Sequence, residues 1–359
     1  MKPKVIHFIF NLGRGGAETM LVRVIKELPE YEHIVVTLFP QNHWGSELVC
    51  DKLVCLHLSS LFSIPAAVFK FRRLVKKEKP LLVHTHLFWP TIVARLGVPR
   101  KLPVITTIHA FINTSIEYTN WHVRLLDKLT YRFRKTTIIG VAKGATEAYF
   151  SFLKLKPWKA YTLYTFVDAD RFNTAFEKRK KERGAVLKVV SVGALRQQKN
   201  YPFAIAAMGK IKHENIELHI YGSGVLKDTL QQQVDAAGAK VFLKGEVSRI
   251  EEVLPEYDLY LMSSTYEGFS LSVLEAMAAG MPLLLSDISS FREQCEDTAA
   301  YFSLNDDNSL PQQLAAFDKK SNAELEAIAI KGRTRALQYF TLPQHVEGLR
   351  KIYHESKNT

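Results

Sequence analysis

Cysteine is nearly absent. Cys50, Cys55 and Cys295 form no even set for a disulfide framework and show none of the paired spacing of a zinc ribbon or finger. Reduced thiols in a cytoplasmic protein are the simplest account of them. Long apolar runs are missing too: no window reaches ~18 uncharged apolar residues, so no membrane span is expected. The run VIHFIF behind Met1-Lys2-Pro3-Lys4 is too short for a secretory leader. Neither an internal repeat nor a low-complexity tract interrupts the chain, which sets aside solenoids and disordered tails. Acidic residues are scarce in one half only. Residues 1–165 hold 24 Lys and Arg against 10 Asp and Glu, whereas residues 166–359 hold 24 against 26. The whole net charge of +12 therefore belongs to the first half. Such a division turns that half toward an anionic surface. No nucleic-acid-binding motif accompanies it, so nucleic acid is not an expected partner.

What is present is ordinary globular material, 47% hydrophobic and 23% charged, in a chain of 359 residues. One hydrophobic core rarely serves so long a chain, and two domains are expected. Short apolar strands read at Lys4–Phe10, His33–Phe39, Leu53–Leu58, Leu81–His84, Val104–Ile108, Thr137–Val141 and Tyr161–Thr165. A second series reads at Val186–Val192, Ile216–Tyr221, Val241–Leu243, Asp258–Ser264, Pro282–Leu285 and Tyr301–Ser303, with helical segments between. Strand–helix alternation of this kind predicts an α/β architecture of parallel sheets covered on both faces.

The stretch Asp258–Asp287 organises the second half. A buried strand ends at a turn, Thr265-Tyr266-Glu267-Gly268, and a helix follows with Leu271, Leu274, Met277 and Ala278 on its buried side. Gly280 and Pro282 stop that helix. A βαβ unit of this form opens its helix N-terminus at the carboxyl edge of the sheet, where the N–H groups of Phe269, Ser270 and Leu271 would face an anion. Two carboxylates flank the place. Glu267 and Glu275 cannot bind phosphate, but they accept hydrogen bonds from hydroxyls, and a nucleotide-sugar carries hydroxyls at both ends of its diphosphate. From spacing alone they serve equally well as a helix-dipole partner and a solvated surface residue.

Glu267-Gly268-Phe269 through Glu275-Ala276-Met277-Ala278-Ala279-Gly280-Met281-Pro282 resembles the Glu-x7-Glu signature of the family-4 retaining glycosyltransferases, of the bacterial polysaccharide-biosynthesis type. The resemblance implies the GT-B fold: two Rossmann-like domains facing across a cleft, with a C-terminal helix crossing back to the first. The expected divisions are an acceptor domain at 1–166, a donor domain at 167–340 and the returning helix at 341–359. It also implies that Glu267 contacts the donor sugar and Glu275 the ribose.

Other stretches match in the same order. Lys4–Phe10 leads into Asn11-Leu12-Gly13-Arg14-Gly15-Gly16-Ala17-Glu18, where a dinucleotide fingerprint would need glycine at 18 and an acid after the next strand; neither is present. Gly15-Gly16-Ala17-Glu18 instead resembles the family loop that faces donor diphosphate and acceptor. Of the strand-end histidines, His84-Thr85-His86 has no Cys, Asp or Glu cluster nearby in sequence, so a metal site is not expected. Thr107-Ile108-His109 resembles the segment whose histidine contacts the donor sugar. Phe166-Val167-Asp168-Ala169-Asp170-Arg171-Phe172 resembles the end of the first domain, with Thr165-Phe166 in place of the usual Asn-Gly. Lys178–Arg183 reads as a solvated linker helix. Gly193-Ala194-Leu195-Arg196-Gln197-Gln198-Lys199-Asn200 places two cations beside a glycine turn and a helix start. In the family an Arg and a Lys here take the place of a metal ion on the leaving diphosphate. The strand-to-glycine turns at Gly222-Ser223-Gly224 and Lys244-Gly245-Glu246 resemble the loops that hold the nucleotide base, giving Gly222 and Lys244 as further donor contacts.

The expectation is a metal-independent retaining glycosyltransferase, without cofactor, using a nucleotide-sugar donor, UDP-linked by preference, and a carbohydrate or lipid-linked glycan acceptor. Two rivals stand beside it: a non-catalytic nucleotide-sugar-binding subunit, and an epimerase or phosphorylase on the same fold. The basic stretches Lys70–Lys77 and Trp121–Lys135, which interleave Phe71, Trp121 and Phe133, suggest peripheral docking on the inner face of an anionic membrane. Surface helices packed on a sheet explain them equally.

Overall fold

The structure, a computed structural model, describes residues 2–13, 15–109, 111–112, 116–179 and 184–357. Most of the basic run read as a linker helix, residues 180–183, lies outside the described residues. The chain divides into two compact units, residues 1–165 with 342–359, and residues 166–341.

The first unit is built on a seven-stranded sheet: β1 (Lys4–Ile9), β2 (Glu32–Thr37), β3 (Lys52–Cys55), β4 (Leu82–His86), β5 (Val104–Ile108), β6 (Thr137–Gly140) and β7 (Lys159–Thr162). Every pairing is parallel, in the order β3-β2-β1-β4-β5-β6-β7. The middle strands are buried on both faces, and β1 and β4 carry His7, His84, Thr85 and His86 as buried polar residues among their apolar ones. Two strands sit earlier than the apolar runs predict, at 52–55 and 159–162. Their ladders begin where Lys52 meets Ile34 and Lys159 meets Thr137, so register rather than hydropathy sets their start.

The helix Leu342–Lys357 belongs to this unit. Val346, Leu349, Ile352 and Tyr353 form its buried stripe. Polar contacts fix its register: His345 Nδ1–H donates to the Tyr164 carbonyl at 2.7 Å, and Arg350 pairs with Glu30 at 2.7 Å.

The second unit carries a six-stranded parallel sheet. Its strands are β8 (Leu187–Val192), β9 (Ile216–Tyr221), β10 (Val241–Gly245), β11 (Leu259–Met262), β12 (Leu283–Ser286) and β13 (Ala300–Phe302), in the order β10-β9-β8-β11-β12-β13. Leu187, Val189, Leu218, Ile220, Leu259, Leu261 and Leu284 pack against the helices Tyr201–Lys210, Lys227–Ala237 and Ser309–Asp318. Each such side chain contributes ~2 kcal/mol on burial. The strand order reverses between β8 and β11 here, and between β1 and β4 in the first unit. At a reversal the two following loops turn to opposite faces and leave a crevice at the carboxyl ends of the strands, the usual ligand position in such sheets.

Candidate active site

At the reversal in the second unit, the loop after β8 meets the loop after β11. Two glycines of the loop after β9 pack under the loop after β8, and a third lies within that loop. Gly222 has φ +142°, and a Cβ there would lie 2.0 Å from the Gly193 carbonyl oxygen. A Cβ on Gly224 would lie 2.5 Å from the oxygen of Leu195. Gly193 carries the stem of Lys199, whose Cε would be 2.9 Å from an added Cβ. With its stem held there, Lys199 Nζ donates to Glu267 Oε1 at 2.7 Å. Ser264 Oγ donates to the same oxygen at 2.7 Å, and Gln198 Nε2 donates to Oε2 at 3.1 Å and to the Tyr266 carbonyl at 3.0 Å. The Thr265 N–H, donating to the Gln198 carbonyl at 2.9 Å, joins the two loops again. The side chains of Glu267 and Lys199 are 9% and 14% exposed, so both charges are largely shielded from water. Arg196, on the same loop, is exposed.

The helix that follows, Leu271–Ala278, is capped by Ser270, whose hydroxyl accepts from the Val273 N–H. Ser270 also makes a double contact with the fully buried amide of Gln294: its N–H donates to Oε1 at 3.0 Å and its carbonyl accepts from Nε2 at 2.9 Å. The Ser270 N–H is thus committed to the protein rather than free for an anion, as the sequence reading had it. Glu275 is half-buried on the second turn of this helix and adds to the field that raises the Arg171 guanidinium, after that group's hydrogen bond to Glu251. Gly280 ends the helix at φ +69°, with the Phe176 ring where a side chain would stand.

On β10, Lys244 shares the exposed face with Phe242, two residues back. The contact to the Gly222 turn comes from the next residue, whose carbonyl accepts from the Gly222 N–H at 2.8 Å.

In the first unit, Gly15 caps the helix Gly16–Lys26. The Glu18 carboxylate folds back over Gly15, with Oε2 2.4 Å from where a Cβ would sit, and accepts from the N–H groups of Gly15 and Glu18. An acid where a dinucleotide fingerprint has its third glycine therefore caps its own helix, and burial raises its pKa. His109 stands just past β5, its Nε2 3.1 Å from His86 Nδ1. Burial, with His345 nearby, pushes the His109 imidazole down to about 3, so it is neutral at physiological pH. It borders a cavity of about 240 Å³ that is also lined by Phe88, Thr107, Ile112, Tyr118 and Asp127. Asp127 accepts from Tyr118 Oη at 2.5 Å and Tyr149 Oη at 2.8 Å, and it pairs with the buried Arg95 guanidinium.

The description "Glycosyltransferase Family 4" matches residues 14–171, and "Glycosyl transferases group 1" matches residues 172–330. The chain belongs to the family-4 glycosyltransferases. The UDP-Gal:alpha-D-GlcNAc-diphosphoundecaprenol alpha-1,3-galactosyltransferase of Escherichia coli is 29% identical over 260 residues, 66% of this chain and 65% of that protein. An N-acetylgalactosamine-N,N'-diacetylbacillosaminyl-diphospho-undecaprenol 4-alpha-N-acetylgalactosaminyltransferase of Campylobacter jejuni is 24% identical over 297 residues, 78% of this chain and 80% of that protein. The crystal structure of Anabaena Alr3699/HepE in complex with UDP shares the GT-B fold, with a TM-score of 0.85 at 15% identity over 99% of this chain and 100% of that one.

Within this family-4 chain the structure brings Lys199 and Glu267 into direct contact, with Gly193 and Gly222 beneath them. It puts Glu275 on the capped helix that follows Glu267, and Lys244 on an edge strand. Gly15, Gly16 and His109 belong to the other unit. Sequence reasoning missed Gln198, Ser264 and Gln294. Gln198 lies inside the Arg196–Lys199 loop, where its amide drew no notice between two cations. Gln294 comes 24 residues after Ser270 on another helix, and no local pattern could have pointed to it.

Proposed function

We propose that this family-4 glycosyltransferase moves a sugar from a nucleotide diphosphate, uridine diphosphate by preference, to a hydroxyl of a lipid-linked glycan with retention at the anomeric carbon. The observation that carries the proposal is the Lys199–Glu267 pair at the strand reversal of the second unit. A lysine held by a shielded carboxylate in a glycine-floored loop is poised to exchange that partner for the oxygens of a diphosphate. The carboxylate is then released to the hydroxyls of the sugar.

In this reading Lys199 and Arg196 stabilise charge on the leaving diphosphate, so no metal ion is required at the donor. The bond from the anomeric carbon to the β-phosphate oxygen breaks. The acceptor oxygen bonds to the same face, and its proton passes to the departing phosphate. Glu267 and the neutral His109 orient the sugar. Glu275 holds the ribose, the Phe269–Leu271 turn and Gly222 approach the nucleotide, and the Gly15-Gly16 turn admits the diphosphate. The preference for uridine is supported by the UDP-Gal donor of the Escherichia coli relative, and that for a polyprenyl-diphosphate acceptor by the diphosphoundecaprenol-linked substrates of the Escherichia coli and Campylobacter jejuni relatives.

A lipid-linked acceptor calls for a membrane-facing surface, and the helix Trp121–Phe133 supplies one. Trp121, Leu125, Leu129 and Phe133 recur every fourth residue and are between 43 and 58% exposed, whereas Asp127 on the opposite side lines the cavity beside His109. Arg100 lies over the Phe133 ring at 4.9 Å and Lys135 over that of Trp158 at 4.8 Å. An apolar stripe fringed by cations matches an anionic leaflet. Among the described residues no helix is long and apolar enough to cross a membrane.

Thermal denaturation with a panel of nucleoside diphosphates tests the donor assignment, since a ligand that binds the folded state raises its apparent stability. UDP without added Mg²⁺ or Mn²⁺ is expected to give the largest rise. A rise only with GDP would reassign the base, and a strict need for Mg²⁺ or Mn²⁺ would overturn the metal-independent clamp.

A further inference from the structure

The first unit gathers histidines that the proposed chemistry does not use. His7 on β1 lies directly opposite His84 on β4, and His86 follows two residues later on the same face. All three side chains are buried, and one ring nitrogen from each lies within 4.8 Å of the other two. Sequence spacing hid this set, because the third imidazole comes from a strand 77 residues upstream of His84.

The hydrogen bonds around the set fix the tautomers of His33 and His7. His33 Nε2 lies 2.8 Å from the Leu28 carbonyl, which only accepts, so this nitrogen carries the proton. With His33 neutral, its Nδ1 accepts from His7 Nε2–H at 3.0 Å. His7 Nδ1 is left as a buried lone pair with no partner. His86 Nε2 is likewise buried and unpartnered, its Nδ1 being taken by His109. His84 is braced by Tyr353 Oη at 2.8 Å and Thr107 Oγ1 at 2.7 Å. Beside these rings is a cavity of about 20 Å³ lined by His7, His84, His86 and His109.

Two orphaned imidazole nitrogens in one buried cluster call for an occupant, since a buried polar atom without a hydrogen bond is destabilising. The cavity holds one water or one ion, not more. Ligating histidines usually donate their other ring N–H to a fixed acceptor, as His7 does through His33 to a carbonyl.

We infer that His7, His84 and His86 form a buried site for a divalent transition-metal ion of the zinc class, with water as the fourth ligand. Three neutral imidazoles and no carboxylate favour Zn²⁺, Co²⁺ or Ni²⁺ and disfavour Mg²⁺ and Ca²⁺, which prefer oxygen. His84 yields one of its two hydrogen bonds on ligation, and the three nitrogens draw together by side-chain rotation. The ion sits in the sheet of the first unit and takes no part in the clamp assigned to Lys199 and Arg196, so it is a structural ion joining β1 to β4.

The test uses the full chain. Protein from zinc-supplemented medium is desalted and its metal content measured, and the metal-free protein is titrated with Co²⁺ while visible absorption is followed. One equivalent of retained zinc and d–d bands saturating at one Co²⁺ per chain are expected, with no competition from Mg²⁺. His7→Asn and His86→Gln are expected to lose both signals. If either fails to fold, His33→Asn, which leaves the three ligands in place and removes the imidazole that links His7 to the Leu28 carbonyl, is expected to weaken Co²⁺ binding roughly 10–100-fold. A wild-type chain that retains no zinc and shows no Co²⁺ bands overturns the proposal in favour of buried water. Co²⁺ binding unchanged in the variants places the ion elsewhere and overturns it equally.

Discussion

Removing the Glu267 carboxylate is the sharpest perturbation of the donor loop, because stability and turnover should respond differently. Glu267→Ala deletes the acceptor of three hydrogen bonds, from Lys199, Ser264 and Gln198, and leaves an ammonium that is only 14% exposed without its counter-charge. Breaking a pair so shielded costs about 3 kcal/mol, at the low end of the range because Lys199 retains some access to water. For a unit the size of residues 166–341, that is a fall in Tm of roughly 6–12 °C. Glu267→Gln is milder. A single amide oxygen replaces two carboxylate oxygens, so it keeps Lys199 and Ser264 but turns an N–H₂ toward the Gln198 amide. Losing one contact and the full charge costs about 1–2 kcal/mol.

Nucleotide binding should follow another order. With Glu267 neutral, Lys199 is held less tightly and is easier to recruit to a diphosphate. UDP affinity in Glu267→Gln should therefore match or exceed that of the wild type, while kcat falls about 100-fold through loss of a group that orients the sugar. Lys199→Met should instead lose UDP affinity by roughly 10–100-fold, the worth of one charge-assisted hydrogen bond. Calorimetric titration with UDP and steady-state turnover separate the two. A tenfold fall in UDP affinity in Glu267→Gln would refute the division of labour, and a Tm loss below ~2 °C in Glu267→Ala would refute the shielded-pair account.

Glu275→Ala should weaken UDP itself, with or without a sugar attached, by about tenfold, and equal losses of sugar-free UDP in the Glu267 and Glu275 variants would mean they do not divide sugar and ribose. Gly222→Ala should destabilise the second unit and abolish UDP binding, because a Cβ there meets the Gly193 carbonyl at 2.0 Å in a backbone conformation that side chains resist; wild-type UDP affinity would contradict this. Asp127→Ala strands the Arg95 guanidinium, which is 1% exposed, and should cost the first unit ~3–5 kcal/mol, read as a urea midpoint shift. Co-sedimentation with anionic vesicles at low salt should fall when Trp121 and Phe133 are both changed to Ala, and should be screened at high salt; no preference for anionic over neutral vesicles would sink membrane docking.

Much of the fold is legible in the sequence because parallel strands buried on both faces leave an unmistakable record. Runs such as LLLS at 283–286 admit no polar residue until the strand reaches its carboxyl end. Strand ends are less legible at the edges of the sheet. The run Leu53–Leu58 carries as much apolar character beyond residue 55 as before it, but only the ladder to β2 decides where the strand stops. Capping is legible where it is local: Ser270 precedes its helix, and Ser321 with Glu324 forms a reciprocal box at the start of the helix Asn322–Tyr339.

The site is legible to the extent that its chemistry is local in sequence. Glu267 and Lys199 each announce themselves as charges beside a glycine turn, 68 residues apart, and only the adjacency of β8 and β11 makes them one unit. What spacing cannot convey is which polar groups are already spent. The Ser270 amide read as open to an anion, but Gln294 from a later helix occupies it. His84-Thr85-His86 read as lacking a third ligand, but β1 lays His7 opposite His84. In both cases the decisive partner is brought by sheet register or helix packing, interactions whose specificity lies in the tertiary arrangement. A sequence can name groups able to bind; a parallel sheet, by choosing neighbours far apart in the chain, decides which of them still have a lone pair or a proton to offer.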